Sequence, residues 1–89
     1  MLTRTFLRNL KTKAQHLHPI VIIGGNGLTP QIHREVDEGL TAHELIKVRV
    51  NAESREDRKM MCDQIADEAN ATVVQTIGHV LILYRPKQS

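Results

Sequence analysis

The stretch that most constrains this chain runs from Ile20 to Pro30. Four consecutive apolar residues, Ile20-Val21-Ile22-Ile23, lead into Gly24-Gly25-Asn26-Gly27, and Thr29-Pro30 follows. A short apolar run bounded by turn residues reads as a strand covered on both faces. Thr29 can cap a helix, and Pro30 fits its first position. A strand, a glycine turn and a helix joined in this order commit the chain to a β–α unit whose next strand returns parallel to the first. The same joint aims backbone N–H groups and the positive end of a helix at one point. That geometry suits an anion, most often a phosphate.

The rest of the pattern alternates in the same way. Between Thr3 and Leu17 the residues Phe6, Leu7, Leu10, Ala14 and Leu17 share one helical face, with Arg4, Arg8 and Lys11 on another flank and Pro19 as the stop. After the glycine loop, Ile32, Val36, Gly39, Leu40 and His43 form a second helical stripe. Residues 45–50 alternate: Ile46, Val48 and Val50 face one way, and Leu45, Lys47 and Arg49 form a poorly covered basic face. Ser54-Arg55-Glu56-Asp57 resembles a capping box and opens a helix that buries Met61, Cys62, Ile65, Ala66 and Ala69. Asn70 suits a left-handed stop. Residues 72–77 are β-branched, Gly78-His79 is a turn, and residues 80–84 are a well-buried last strand. The expected fold is α/β in the order α-β-α-β-α-β-β, a mixed sheet whose last strand is antiparallel. One domain over residues 1–86 and a short tail over 87–89 account for the 89 residues.

A net charge of +2 conceals a division along the chain: residues 1–34 hold five bases and no acid, and residues 35–68 hold all ten acids with five bases. Such a division reads either as charges that intermix on folding or as a polarised surface with a basic face for a polyanion. Cys62 is the single cysteine, so no internal disulfide forms, which fits a reducing cytosol. No signal-peptide core and no run of about 20 apolar residues is present, so the expectation is a cytoplasmic protein with no membrane partner.

The glycine loop does not fit the nucleotide-binding fingerprints. No Lys follows Gly27, as a P-loop requires, and Gly25-Asn26-Gly27-Leu28-Thr29-Pro30 puts Pro where a dinucleotide fingerprint needs its third glycine. A G-x-x-G loop remains, of the kind that clamps a nucleotide backbone in KH domains; a tight strand-to-helix turn with no ligand fits the same four residues. With Phe6 and Tyr84 as the only aromatic residues, stacking on aromatic platforms is hardly available, and recognition through phosphate, sugar and shape is favoured. His16-x-His18 lacks companion ligands for a metal. His43 reads as a packed core residue, and His33 and His79 as exposed. Cys62 reads as a small core hydrophobe. No catalytic residue, metal site or cofactor is expected.

Four segments go further than the loop: Leu17-His18-Pro19-Ile20-Val21-Ile22-Ile23-Gly24, Gly24-Gly25-Asn26-Gly27-Leu28-Thr29, His43-Glu44-Leu45-Ile46-Lys47-Val48 and Gly78-His79-Val80-Leu81-Ile82-Leu83-Tyr84-Arg85. In this order and spacing the chain resembles the CRM domain (chloroplast RNA splicing and ribosome maturation), and within it the stand-alone bacterial YhbY-like proteins. The resemblance implies an RNA-binding protein that associates with pre-ribosomal large-subunit particles and assists ribosome assembly. It also implies a fold like the C-terminal domain of translation initiation factor three, with strand order 1-2-4-3. The family's G-x-x-G loop carries onto Gly24, Gly25, Asn26 and Gly27, its second-strand Lys onto Lys47, and its Arg after the last strand onto Arg85. His79 stands where related proteins often have Lys. That strand order makes residues 20–23 an edge, and the first helix packing over their second face would reconcile an edge position with burial on both sides.

The expected contact surface has three parts: Gly24, Gly25, Asn26, Gly27 and Thr29 gripping phosphate; Arg4, Arg8, Lys11 and Lys13 as a basic helix; and Lys47, Arg49 and Arg85. The expected partner is structured large-subunit ribosomal RNA, bound by a monomer. The competing expectation is a protein-interaction module that docks on a ribosomal or assembly factor through the acidic helix at 56–68.

Overall fold

A computed structural model describes residues 3–87. Its elements are α1 (Arg4–Ala14), β1 (Pro19–Ile23), α2 (Pro30–His43), β2 (Leu45–Val50), α3 (Arg55–Glu68), β3 (Thr72–Ile77) and β4 (Val80–Tyr84). The strands form one sheet in the order β1-β2-β4-β3. β1 runs parallel to β2, with Val21 opposite Val48 and Ile23 opposite Val50; β4 is antiparallel to both β2 and β3. The mixed sheet, its strand order and the antiparallel last strand are as the sequence and its resemblance implied.

Each helix begins where its cap residue dictates. Thr3, Thr29 and Ser54 accept from the N–H groups of Phe6, Ile32 and Asp57 at 3.1, 3.2 and 3.0 Å, satisfying donors that would otherwise lack partners. Asn70 takes φ 53° after α3, the left-handed stop its residue type suits. Glu44 closes α2 at φ 64° and ψ −42°, a positive-φ conformation outside the left-handed helical region, although it is not glycine. Its carbonyl accepts the Arg85 N–H at 2.9 Å and its carboxylate accepts the Lys87 N–H at 3.0 Å, so the chain leaving β4 is tied to this corner. α1 ends at Ala14, five residues before Pro19, with Leu17 N–H closing a last turn on the Ala14 carbonyl.

Two cores lie on the two faces of the sheet. On one face, Val36 and Leu40 of α2 and Cys62, Ile65 and Ala66 of α3 pack on Val21, Ile23, Ile46, Val48, Val50, Leu81 and Leu83. On the other, Leu10 and Ala14 of α1 pack on Leu45, Val74 and Ile82, flanked by Leu7, Leu17, Val80 and Tyr84. Phe6 is not interior; it meets Tyr84 edge to face at 5.4 Å. α1 therefore lies over β2, β4 and β3 and leaves β1 bare.

This placement overturns two expectations. β1 is not covered twice: Val21 and Ile23 are buried, but Ile20 and Ile22 are 48% and 60% exposed. The apolar run is an edge strand with one solvated face, and α1 does not rescue it. The basic face of β2 is also less open than its alternation implied, because Leu45 is buried under α1 and Lys47 is half-buried, leaving Arg49 exposed. Smaller departures follow from helix ends and edges. His43 is exposed at the last position of α2, Met61 and Ile32 are partly buried, and His33 is half-buried. Gly39 is buried as its stripe required, and for a steric reason: a Cβ there would stand 2.6 Å from Ile20 Cδ1, at the point where β1 is irregular between Pro19 and Val21.

Arg85 closes the helical layer. One guanidinium nitrogen donates to Asp37 Oδ1 at 2.8 Å and to the Ala69 carbonyl at 2.7 Å. The other donates to the Asp37 carbonyl at 3.1 Å and Thr41 Oγ1 at 3.0 Å. The side chain, 18% exposed, thus joins the end of β4 to α2 and to the close of α3. Arg85→Ala should lower stability by about 2 kcal/mol, as expected for charged hydrogen bonds whose carbonyl partners are then stranded. Arg85→Lys should recover only part of this, because an ammonium lacks the planar fork. Equilibrium urea unfolding of the three proteins measures both.

Candidate nucleic-acid interface

The loop between β1 and α2 is a tight turn in which Gly27 N–H donates to the Gly24 carbonyl at 3.1 Å. Gly27 has φ 68°, a conformation that favours glycine. Gly24 and Gly25 have no such reason: their φ values lie outside that region, and a Cβ on either meets nothing within 4 Å. The fold requires the last glycine of the loop but not the first two. A side chain at either position would project into open space outside the protein.

Fewer donors face that space than the sequence suggested. Gly27 N–H is spent on the turn, whereas Thr29 Oγ1 accepts from the Ile32 N–H and keeps its hydroxyl hydrogen free to donate. In the first turn of α2, Pro30 has no N–H and His33 N–H bonds to the Thr29 carbonyl at 3.1 Å. The Gly24, Gly25 and Asn26 N–H groups have no backbone partner among the described residues. These three, rather than all four of the loop, are the amide donors on offer. They open on a shallow groove of about 500 Å³ bordered by Ile22, Ile32 and Glu35.

From the loop, the basic side chains continue along the bare margin of the sheet. Ile22, beside the loop, is opposite Arg49, and Pro19 is opposite Lys47. Lys47 and Arg49 are two residues apart on one face, about 6.7 Å along the strand. Arg49 Nε donates to Asn51 Oδ1 at 3.2 Å, which holds the guanidinium near the loop end of the sheet, where Asn51 N–H also bonds to the Ile23 carbonyl. Lys13 of α1 borders the same groove as Lys47. The basic helix and the basic strand therefore lie on one face, with Arg4, Arg8 and Lys11 exposed on the other flank of α1. The ten acids are on α2, α3 or in the loops at their ends, where Arg34, Arg55, Arg58 and Lys59 also lie, so folding leaves the α1 side basic and the other side mixed.

Of the residues singled out from sequence, Arg85 is not part of this surface, because its guanidinium is bound to α2 and α3. His79 has a cationic neighbour: Arg58 of α3 brings a guanidinium nitrogen to 3.4 Å from His79 Nδ1. Sequence reading missed this pair and the exposure of Ile22, since both depend on which elements become neighbours. Among the described residues no group of three His, Cys, Asp or Glu could hold a metal, and no helix is long and apolar enough to cross a membrane. Burial, and secondarily the Asp63 carboxylate, pushes the Cys62 thiol up against the opposing pull of Arg58 and Lys59, which disfavours a thiolate there.

An α/β module with a glycine-turn joint and a basic, partly bare sheet face is the class of protein this geometry defines. The chain belongs to the CRS1/YhbY (CRM) domain family, whose model matches residues 2–85. It is 48% identical over 79 residues to a Haemophilus influenzae RNA-binding protein, covering 89% of this chain and 80% of that one. It is 36% identical over 85 residues to a Bacillus subtilis protein named as a probable RNA-binding protein, covering 96% and 88%. The solution structure of a Staphylococcus aureus hypothetical protein, described as a candidate RNA binder, superimposes with a TM-score of 0.84 at 30% identity, over 100% of this chain and 93% of the other.

The loop glycines separate by experiment. Gly25→Ala should leave stability unchanged or raise it by up to about 1 kcal/mol, since its backbone is ordinary and the unfolded chain loses freedom. Gly27→Ala should cost about 1–2 kcal/mol for a Cβ in the left-handed region. Thermal melts of both variants check this.

Proposed function

We propose that this protein binds the backbone of structured RNA along a strip running from the Gly24–Gly27 loop past Ile22 and Arg49 to Lys47 and Lys13, with Arg4, Arg8 and Lys11 adding charge from α1. The observation that carries the reading is the charge segregation. The α1 side of the sheet holds Arg4, Arg8, Lys11, Lys13, Lys47 and Arg49 without a carboxylate, and beside it sit two glycines that the fold does not need. A surface of this kind contacts phosphates and positions a duplex or folded strand without reading many bases. The RNA-binding names of the relatives support the same partner. The family resemblance supports large-subunit ribosomal RNA in assembling particles as the RNA, met in the cytoplasm by a monomer without catalysis or cofactor.

Phosphate contacts release counterions, so each should appear in the salt dependence of binding. Lys47→Ala and Arg49→Ala should each weaken binding to a structured ribosomal RNA fragment and reduce the slope of log K against log salt by about 0.7–0.9. Gly25→Asp with Asn26→Asp should weaken binding further without lowering the melting temperature. Fluorescence anisotropy across a salt series measures the slope, and gradient sedimentation shows whether the same variants leave large-subunit precursors. Unchanged affinity and slope in all of them would refute the strip as the contact surface.

A further inference from the structure

Near the end of the strip farthest from the loop, three of the five histidines come together. His16 and His18, from the turn between α1 and β1, and His43, from the last position of α2, border one groove of about 470 Å³. Its remaining walls are mainly apolar, with Leu17, Ile20, Leu45 and Ile46 contributing, and Lys13 and Lys47 stand at its border. All three histidines are exposed. Among the described residues their rings have no hydrogen-bond partner; only the ring of His79 has one. They are also not grouped to hold a metal.

The combination matches one kind of occupant. An imidazole is a flat ring on which a nucleobase can stack, as bases do on His as well as on Phe, Tyr and Trp in RNA-binding sites. The groove is within the volume range of a small-ligand site. Its apolar walls suit the face of a base, and the two lysines suit the phosphate attached to it. A paired base, held within its helix, could present only its backbone here; an unpaired base could enter. We infer that this groove receives a single unpaired nucleotide, bulged or flipped from the RNA, with its base against the histidine rings and its phosphate by Lys13 and Lys47. The inference rests on the RNA-binding reading above and adds a preference that the backbone strip alone cannot supply. It also gives the chain the stacking surface that its two aromatic residues do not.

The test compares two RNA hairpins equal in length and charge, one fully paired and one with a single bulged adenosine, for binding to the full chain. The wild-type protein should favour the bulged hairpin by about five- to hundredfold, the worth of stacking one base. His16→Ala with His18→Ala and His43→Ala should abolish the preference while affinity and salt slope for the paired hairpin stay as they were. His16→Tyr with His18→Tyr and His43→Tyr should restore it. As a readout that needs no variant, 2-aminopurine at the bulge should lose fluorescence on binding wild-type protein, and an unchanged signal would count against the site. Equal affinity of the wild type for both hairpins overturns the inference and leaves the backbone strip standing. So does a triple alanine variant that weakens both hairpins alike, which would make the histidines part of the general surface. Failure of the wild type to bind either hairpin overturns the RNA reading itself.

Discussion

One helix cannot cover four strands. Strands spaced about 4.8 Å apart make a four-stranded sheet nearly 20 Å across, whereas a helix with its side chains is about 10–12 Å wide. Two helices, α2 and α3, close one face of this sheet; α1 alone is left for the other. Leu10 and Ala14 seat it over Leu45, Val74 and Ile82, toward the β4–β3 side. The β1 margin then has to remain in water, and everything proposed for the molecule sits along that margin or on the helix beside it. The open strip is thus a result of the element count, and side chains of suitable chemistry occupy it.

The electrostatics follow from the same layering. α1 carries four bases and no acid, and the strand beside it presents Lys47 and Arg49 to the same side. The acids, gathered on α2 and α3, lie across the sheet. They are not idle there: Asp37 receives the Arg85 guanidinium and Lys59 pairs with Asp63 at 3.2 Å. The exposed Lys59–Asp63 pair adds little stability. The Arg85 cluster, with two main-chain carbonyls among its acceptors, does more, and it fixes the helical layer against which β1 and its loop are held.

Much of this was legible in the sequence because it is local. The caps at Thr29 and Ser54, the left-handed Asn70 and the order of helices and strands need only neighbours along the chain, and the family resemblance supplied the strand order. What failed depended on partners distant in sequence. Ile20-Val21-Ile22-Ile23 has the composition of a doubly covered strand, but coverage is set by where α1 lands. Here Ile20 leans on Gly39 of α2, and Ile22 has nothing above it. His43 continues the periodicity of α2, yet that helix has already reached the edge of the core. Arg85, at the end of a strand in a basic chain, looks like a free cation until α2 and the close of α3 are folded around it. The histidines at 16, 18 and 43 gave no joint signal, since they meet only once β1 is laid beside β2.

The separation of charge onto opposite sides of the sheet also bears on what a bound molecule would show to its surroundings. Seated with its basic side on a polyanion, the protein would turn a mixed surface outward, where its ten carboxylates stand among Arg34, Arg55, Arg58 and Lys59. A second polyanion strand would meet there a surface on which acids outnumber bases, and so no pull like that of the α1 side. A uniformly basic domain of this size would offer a polyanion two landing faces; this one offers one.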